Sequence, residues 1–224
     1  MFTGIIESIG TIAKIEKKSG DAELTFKVGQ LGMSDVSLGD SIACNGVCLT
    51  AIKLNDYSFV ADISNETLRL TTLGSLAAGS KINLEKALTP TTRLGGHLVS
   101  GHVDGIGEIM SIKKDSRSVQ YKVQAPIELA HYIAKKGSIC VDGVSLTVNE
   151  ITDNIFELNL VPHTLNETTA SDYKVGTKIN LEVDLLARYL ERLLTGQKTE
   201  PESSLNKKTK TSVTTSFLKN NGFA

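Results

Sequence analysis

Two stretches of this chain carry small hydrogen-bonding side chains at strand spacing: Gly46-Val47-Cys48-Leu49-Thr50 and Gly143-Val144-Ser145-Leu146-Thr147. In an extended strand alternate residues share a face, so Cys48 projects with Thr50 and Ser145 with Thr147, while the apolar residues project the other way. Hydroxyl and thiol groups beside backbone amides suit a flat heterocycle rich in carbonyls and ring nitrogens. The plain alternative is that Ser and Thr simply fit strands; recurrence of the pattern counts against it. Cys48 is a candidate nucleophile or a small buried apolar group. His102 is a candidate acid or base near neutral pH, or a structural ring. Gly4 and Gly101 would let backbone approach a ligand or turn at positive φ, or mark ordinary barrel turns. Asp184 reads first as the N-cap of a final helix.

Other chemistries lack their residues. The four histidines, His97, His102, His131 and His163, have no ligand spacing with the three cysteines, so no metal site is expected. No GxSxG elbow, P-loop or strand–GxGxxG–helix unit occurs. The net charge of -1 gives no basic surplus for phosphate binding, so nucleic acid is not an expected partner. No run approaches the ~20 apolar residues of a membrane helix, and the start has no signal-peptide pattern. An odd number of cysteines without CxxC spacing suits free thiols and a cytoplasmic location.

The positioning elements follow from a duplication. Shifting the 224-residue chain by 97 aligns 1–88 with 98–185 without a gap, with 26 identities in 88 pairs. Phe2 to Gly10 falls on Val99 to Gly107, Ser41 to Thr50 on Ser138 to Thr147, and Lys81-Ile82-Asn83-Leu84-Glu85 on Lys178-Ile179-Asn180-Leu181-Glu182. Two copies of this length are two domains rather than a solenoid. We place them at 1–97 and 98–183, joined near Pro90 and Gly95-Gly96. Short Ile, Val, Leu and Thr runs broken by Gly, Asn and Asp suit small antiparallel barrels, whose closure removes open edges. Asn65 to Leu73 and Pro126 to Lys135 read as short helices or turns. Leu185, Leu186, Tyr189, Leu190, Leu193 and Leu194 recur at helical spacing, giving a helix over 184–195, and the Lys-, Ser- and Thr-rich 196–224 reads as a disordered tail.

The motifs together resemble the riboflavin synthase family of the alpha-chain type. The resemblance is carried by Met1-Phe2-Thr3-Gly4-Ile5-Ile6-Glu7, Gly95-Gly96-His97-Leu98-Val99-Ser100-Gly101-His102-Val103, the Asn45–Thr50 and Asp142–Thr147 stretches, and Leu160-Val161-Pro162-His163-Thr164-Leu165. It runs from Met1 to about Leu194. It implies an all-β fold of two six-stranded Greek-key barrels plus a C-terminal helix, assembled as a homotrimer. It implies further that each barrel binds one 6,7-dimethyl-8-ribityllumazine. Two such molecules dismutate into riboflavin and 5-amino-6-(D-ribitylamino)uracil, with no cofactor or metal, and lumazine synthase is a candidate partner.

By position, the resemblance assigns one pocket to Gly4, Ile5, Ile6, Cys48, Leu49, Thr50, Asp62, Ile63, Ser64, Asn65, Glu66 and Thr67. The other takes Gly101, His102, Val103, Ser145, Leu146, Thr147, Leu160, Val161, Pro162, His163, Thr164 and Leu165, with Lys136 reaching across the interface. Phe2, Ser41, Cys48, His102, Thr147 and Asp184 match catalytic positions. The copies diverge where Cys48 aligns with Ser145, Asn65 with Pro162, Glu66 with His163 and Ala87 with Asp184, so the pockets should be inequivalent. Three alternatives stand beside this reading: a lumazine- or flavin-carrying antenna protein of the same fold, a flavin reductase, which would need a nicotinamide domain, and a purely structural tandem barrel.

Overall fold

The structure, a computed structural model, describes residues 1–18 and 20–196. Residues 1–191 form one compact unit and a second begins at Arg192. Residues 197–224, nearly all of the expected disordered tail, lie outside the described residues.

The duplication appears as two sheets of matching topology. The first holds β1 (Ser8–Lys18), β2 (Asp21–Lys27), β3 (Ser41–Cys44), β4 (Val47–Thr50), β5 (Lys53–Asn55), β6 (Ser58–Ile63) and β7 (Lys81–Lys86). The second holds β8 (Gly105–Asp115), β9 (Ser118–Gln124), β10 (Ser138–Val141), β11 (Val144–Thr147), β12 (Glu150–Thr152), β13 (Ile155–Leu160) and β14 (Lys178–Val183). Both are wholly antiparallel, ordered β4-β3-β7-β1-β2-β6-β5 and β11-β10-β14-β8-β9-β13-β12. β2 pairs with β6 and β3 with β7, the interleaving of a Greek key.

Seven segments per sheet replace the expected six because the closing strand is bent. Ala51 N–H donates to Asp40 O (2.9 Å), on the β3 side, and the next amide, Ile52 N–H, to Val60 O of β6 (2.8 Å). Val148 N–H to Gly137 O (3.0 Å) and Asn149 N–H to Glu157 O (2.8 Å) repeat this switch. One strand thus serves both edges of each sheet, and each closes as a six-stranded barrel without an unpaired edge. A register shift after Ile12 recurs after Ile109, bending the long β1 and β8 alike.

Period-two alternation sends one face of each strand inward. Leu24, Phe26, Ile42, Leu49, Phe59, Ile82 and Leu84 fill the first barrel, with Phe26 stacked on Phe59 at 4.9 Å between centroids. Ile109, Val123, Ile139, Phe156, Ile179 and Leu181 fill the second. The space left among Ile109, Tyr121, Leu146 and Leu158 is about 10 Å³, roughly the threshold for one water. The interior of the second barrel therefore has no room for a ring-sized ligand.

The helices fall near their expected places. α1 (Asn65–Leu70) is capped by Ser64, whose hydroxyl accepts from Thr67 N–H (3.1 Å), followed by a 3-10 turn over Thr72–Ser75. Its repeat mate α2 (Pro162–Glu167) starts on proline instead, and a 3-10 turn covers Ile127–Tyr132. α3 (Leu185–Thr195) begins after Asp184, whose Oδ1 accepts from Leu186 N–H at 3.0 Å, so the capping role read from sequence is realised. Among the described residues no helix is long and apolar enough to cross a membrane. All three cysteines are free.

Candidate active site

The site-bearing strands are built by an exchange between the barrels. The segment before β1 crosses to the second barrel, where Gly4 O accepts from Ser145 N–H of β11 (2.7 Å). The segment before β8 crosses back, and Gly101 O accepts from Cys48 N–H of β4 (2.8 Å). Where the two straps pass, Phe2 and Val99 pair as an antiparallel bridge. Each partner differs from its equivalent by 97, so the seam is a pseudo-twofold interface within one chain. Both glycines have positive φ, +77° and +83°, and a Cβ on either would lie 2.6 Å from the Cβ of Ser145 or Cys48. Gly4 and Gly101 thus turn at positive φ, and the close approach they allow here is to the other barrel's strand.

Buried carboxylates fix the straps. Glu85 accepts from Thr3 N–H (2.7 Å), Thr3 hydroxyl (2.6 Å) and Gly4 N–H (3.0 Å). Glu182 accepts from Ser100 N–H (2.6 Å), Ser100 hydroxyl (2.7 Å) and Gly101 N–H (3.0 Å). Burial raises the pKa of both carboxyls, while these donors pull the other way.

This exchange corrects the grouping drawn from sequence position. Gly101, His102 and Val103 belong with Cys48 and Thr50 on the first barrel, against whose core Val103 packs. Gly4, Ile5 and Ile6 belong with Ser145 and Thr147 on the second; a Cβ on Gly143 would meet Ile6 Cδ1 at 3.4 Å. Sequence spacing places a strap with the barrel it continues into, whereas its backbone hydrogen bonds go to the opposite one.

Around the first strand, Thr50 is exposed and directly opposite Ser41, and Cys48 is half-buried opposite Ala43. Asp62, Ser64, Asn65 and Glu66 are exposed at the end of β6 and start of α1, with Thr67 half-buried. Around the second, Thr147 is exposed and Ser145 half-buried, while Val161, Pro162 and His163 are exposed and Thr164 and Leu165 half-buried. His102 and Lys136 are exposed. Lys136 adopts φ +66°, and its N–H donates to Val148 O (2.8 Å). The side chains of Leu49, Ile63 and Leu160 lie in the barrel cores, leaving only their backbone for a ligand. Phe2 is fully buried in the seam with Ala43, Val99 and Cys140, against which Cys48 packs. Gly46 and Gly143 meet across the same seam.

Sequence reasoning weighed His97 only as a metal ligand. In the structure its Nδ1 is 2.7 Å from Ser145 Oγ, and its backbone N–H donates to Thr3 O (3.1 Å). Burial lowers its pKa, and the Asp184 carboxylate opposes that in part. The Gly95-Gly96 pair was the available signal: a Cβ on Gly96 would lie 2.2 Å from Thr3 O, so the chain carrying His97 runs tight against the strap. Asn83, Glu85, Asn180 and Glu182 were also passed over, although polar residues recurring inside a strand repeat marked them.

Two barrels with repeated polar strands and exchanged straps form a tandem repeat that presents one candidate small-molecule site on each copy. A family profile described as lumazine binding domain matches residues 3–87 and again 100–184. A riboflavin synthase of Photobacterium phosphoreum is 48% identical over 223 residues, covering 100% of this chain and 99% of the relative. That of Bacillus subtilis (strain 168) is 42% identical over 223 residues, covering 100% of each. Solved structures of LumP also match, covering 82% of this chain and 99% of theirs. The complex with 6,7-dimethyl-8-(1'-D-ribityl) lumazine has a TM-score of 0.74 at 24% identity, and that with riboflavin 0.76 at 25%. This chain belongs to the riboflavin synthase family of lumazine-binding-domain proteins.

Proposed function

We propose that the protein is a transferase that dismutates two molecules of 6,7-dimethyl-8-ribityllumazine, moving a four-carbon unit from one to the other to give riboflavin and 5-amino-6-(D-ribitylamino)uracil. The observation that carries this is the doubling of one site: Cys48 and Thr50 under the Gly101 strap, and Ser145 and Thr147 under the Gly4 strap. A reaction that consumes two copies of one molecule needs two related seats. Holding the rings together replaces a bimolecular encounter with a near-intramolecular one, a contribution of about 7–11 kcal/mol. The C7 methyl of lumazine is acidic because its anion spreads into the ring system, so a modest base suffices.

In this reading the domains are 1–97, 98–183 and the helix 184–195. His102, or water held by Thr147 or Asp184, takes the methyl proton. Cys48 or water adds to C7 of the acceptor, and Ser41 and Phe2 shape the first seat. Lys136 reaches the substrate from a neighbouring copy. The first barrel seats the acceptor and the second the donor. Leu186, Tyr189 and Leu190 are 61%, 63% and 58% exposed, an apolar helix stripe suited to holding a homotrimer in which unlike barrels of neighbouring copies meet. The cytoplasm suits three free cysteines, and lumazine synthase is the partner to try by co-sedimentation.

The test is direct. Purified protein incubated with lumazine should produce riboflavin fluorescence without added cofactor, and light scattering should report three copies per particle. Tight lumazine binding without turnover would establish an antenna-type carrier instead.

A further inference from the structure

We infer that His97 is a positioning residue for Ser145: its Nδ1–H donates to Ser145 Oγ and directs the serine hydroxyl proton at the ring seated on the second barrel. This rests on the functional reading above and adds the device that makes one of the two seats different.

Three observations carry it. The first is the Nδ1 to Ser145 Oγ distance of 2.7 Å, from a ring whose backbone is tied to Thr3 O at 3.1 Å. The preceding Gly96 packs tightly on both the strap and the serine: a Cβ there would lie 2.2 Å from Thr3 O and 2.6 Å from Ser145 Cβ.

The second is the other ring nitrogen. Nε2 is buried and finds no hydrogen-bond partner among the described residues. A buried N–H without an acceptor is among the rarest arrangements in folded proteins, whereas an under-used lone pair is tolerated more often. The neutral ring therefore carries its proton on Nδ1. Burial keeps the ring neutral against the pull of the Asp184 carboxylate, the charged group acting on it. With Nδ1–H as donor, Ser145 Oγ is used as an acceptor, and its own hydrogen is free for a ligand.

The third is asymmetry. At the aligned position of the first barrel Cys48 stands in place of Ser145, so the hydroxyl that His97 meets has no counterpart there. Among the described residues only the second barrel presents a hydroxyl backed by an imidazole.

The consequence is specific. Loss of the C7-methyl proton spreads negative charge onto the carbonyl oxygens and ring nitrogens of lumazine. A hydroxyl donor polarised by a second donor behind it favours that anion over the neutral ring. The His97–Ser145 chain therefore assigns the donor substrate, the one that must be deprotonated, to the second barrel.

The experiment uses full-length protein with the substitutions His97→Ala, His97→Asn and His97→Gln. The pH titration of bound 6,7-dimethyl-8-ribityllumazine is followed by absorbance, alongside kcat and KM. Asn places its amide N–H near the position of Nδ1–H, and Gln near that of Nε2. H97A should lower kcat about tenfold and raise the pKa of the bound C7 methyl by about one unit, the worth of one hydrogen bond to a charged group, with KM moving far less. H97N should recover most of both effects and H97Q little. An unshifted lumazine titration in H97A, or equal impairment by all three variants, would overturn the assignment. If the wild-type protein neither binds nor converts lumazine, the functional reading itself falls, an outcome the variants do not produce.

Discussion

Asn83 and Asn180 lock the two barrels together through one set of bonds made twice. Asn83 Oδ1 accepts from Thr169 N–H (2.8 Å) and its amide donates to Asp142 O (2.8 Å). Asn180 Oδ1 accepts from Thr72 N–H (2.8 Å) and its amide donates to Asn45 O (2.9 Å). All four bonds cross the seam, and both asparagines are essentially unexposed. Asn45 and Asp142 in turn accept from the backbone of Asn83 and Asn180 (2.7 and 2.8 Å) while turning at φ +46° and +44°. The duplicated fold is thus keyed at its pseudo-twofold axis by amides that both give and accept.

Replacing Asn83 with Leu should therefore cost more than its volume suggests. It leaves Thr169 N–H and Asp142 O buried without partners, at about 1–3 kcal/mol each. For a chain of this size each kcal/mol lowers Tm by roughly 2–4 °C. Differential scanning calorimetry should show a drop of about 5 °C or more for N83L, a similar one for N180L, and less than the sum for the double variant, because the residues share one seam.

Asp142 gives the seam a pH dependence. Burial pushes its carboxyl up to about 6, against the hydrogen bonds from Tyr173 hydroxyl (2.6 Å) and Asn180 N–H. The native carboxyl keeps its proton to higher pH than the unfolded chain's, so between about pH 4 and 6 the folded state binds more protons. Stability from this group is present below that window and declines as pH rises through it, by an amount on the order of 3 kcal/mol. The equivalent residue is Asn45, which carries no charge. D142N should be at least as stable as wild type at pH 7 and should flatten Tm across this window. A D142N profile that follows the wild-type slope would place the titration elsewhere.

The strap exchange predicts effects that appear in the opposite barrel. Glu182 belongs to β14 of the second barrel, yet it holds Ser100 and Gly101, which lie on Cys48 of the first. In E182Q one carboxylate oxygen becomes an amide that opposes an N–H, so the strap loosens. Analogue titration should show the first seat weakened about tenfold, from loss of one hydrogen bond to a charged group, and E85Q should weaken the second. Effects confined to the barrel of the mutated residue would contradict the exchange.

Gly101→Ala tests the same junction sterically. A Cβ there would stand 2.6 Å from Cys48 Cβ and 2.8 Å from Phe2 Cε2, at a φ of +83°. Strain of this kind costs about 1–3 kcal/mol before the clash is counted. G101A should lose stability and first-seat binding together, as measured by thermal melts and ligand titration. G79A, with the same kind of φ at +90° but nothing within 4 Å of its added Cβ, should lose less stability and keep binding.

The chain by itself determined the duplication, the two barrels, the paired polar strands and the Asp184 cap, because these rest on local facts: period-two alternation, turn residues and a 97-residue identity pattern. It also exposed the divergence of Cys48 from Ser145. Only the tertiary structure decided which strap serves which barrel, since adjacency in sequence favours the continuing barrel while the backbone bonds of Gly4 and Gly101 go to the other. Bending at Ala51–Ile52 and Val148–Asn149, which turns six strands into seven segments, is likewise a property of closure that no single strand records. His97 stayed silent for the same reason. Its partner Ser145 is 48 residues away, and the chemistry of an imidazole depends on what its nitrogens meet in space.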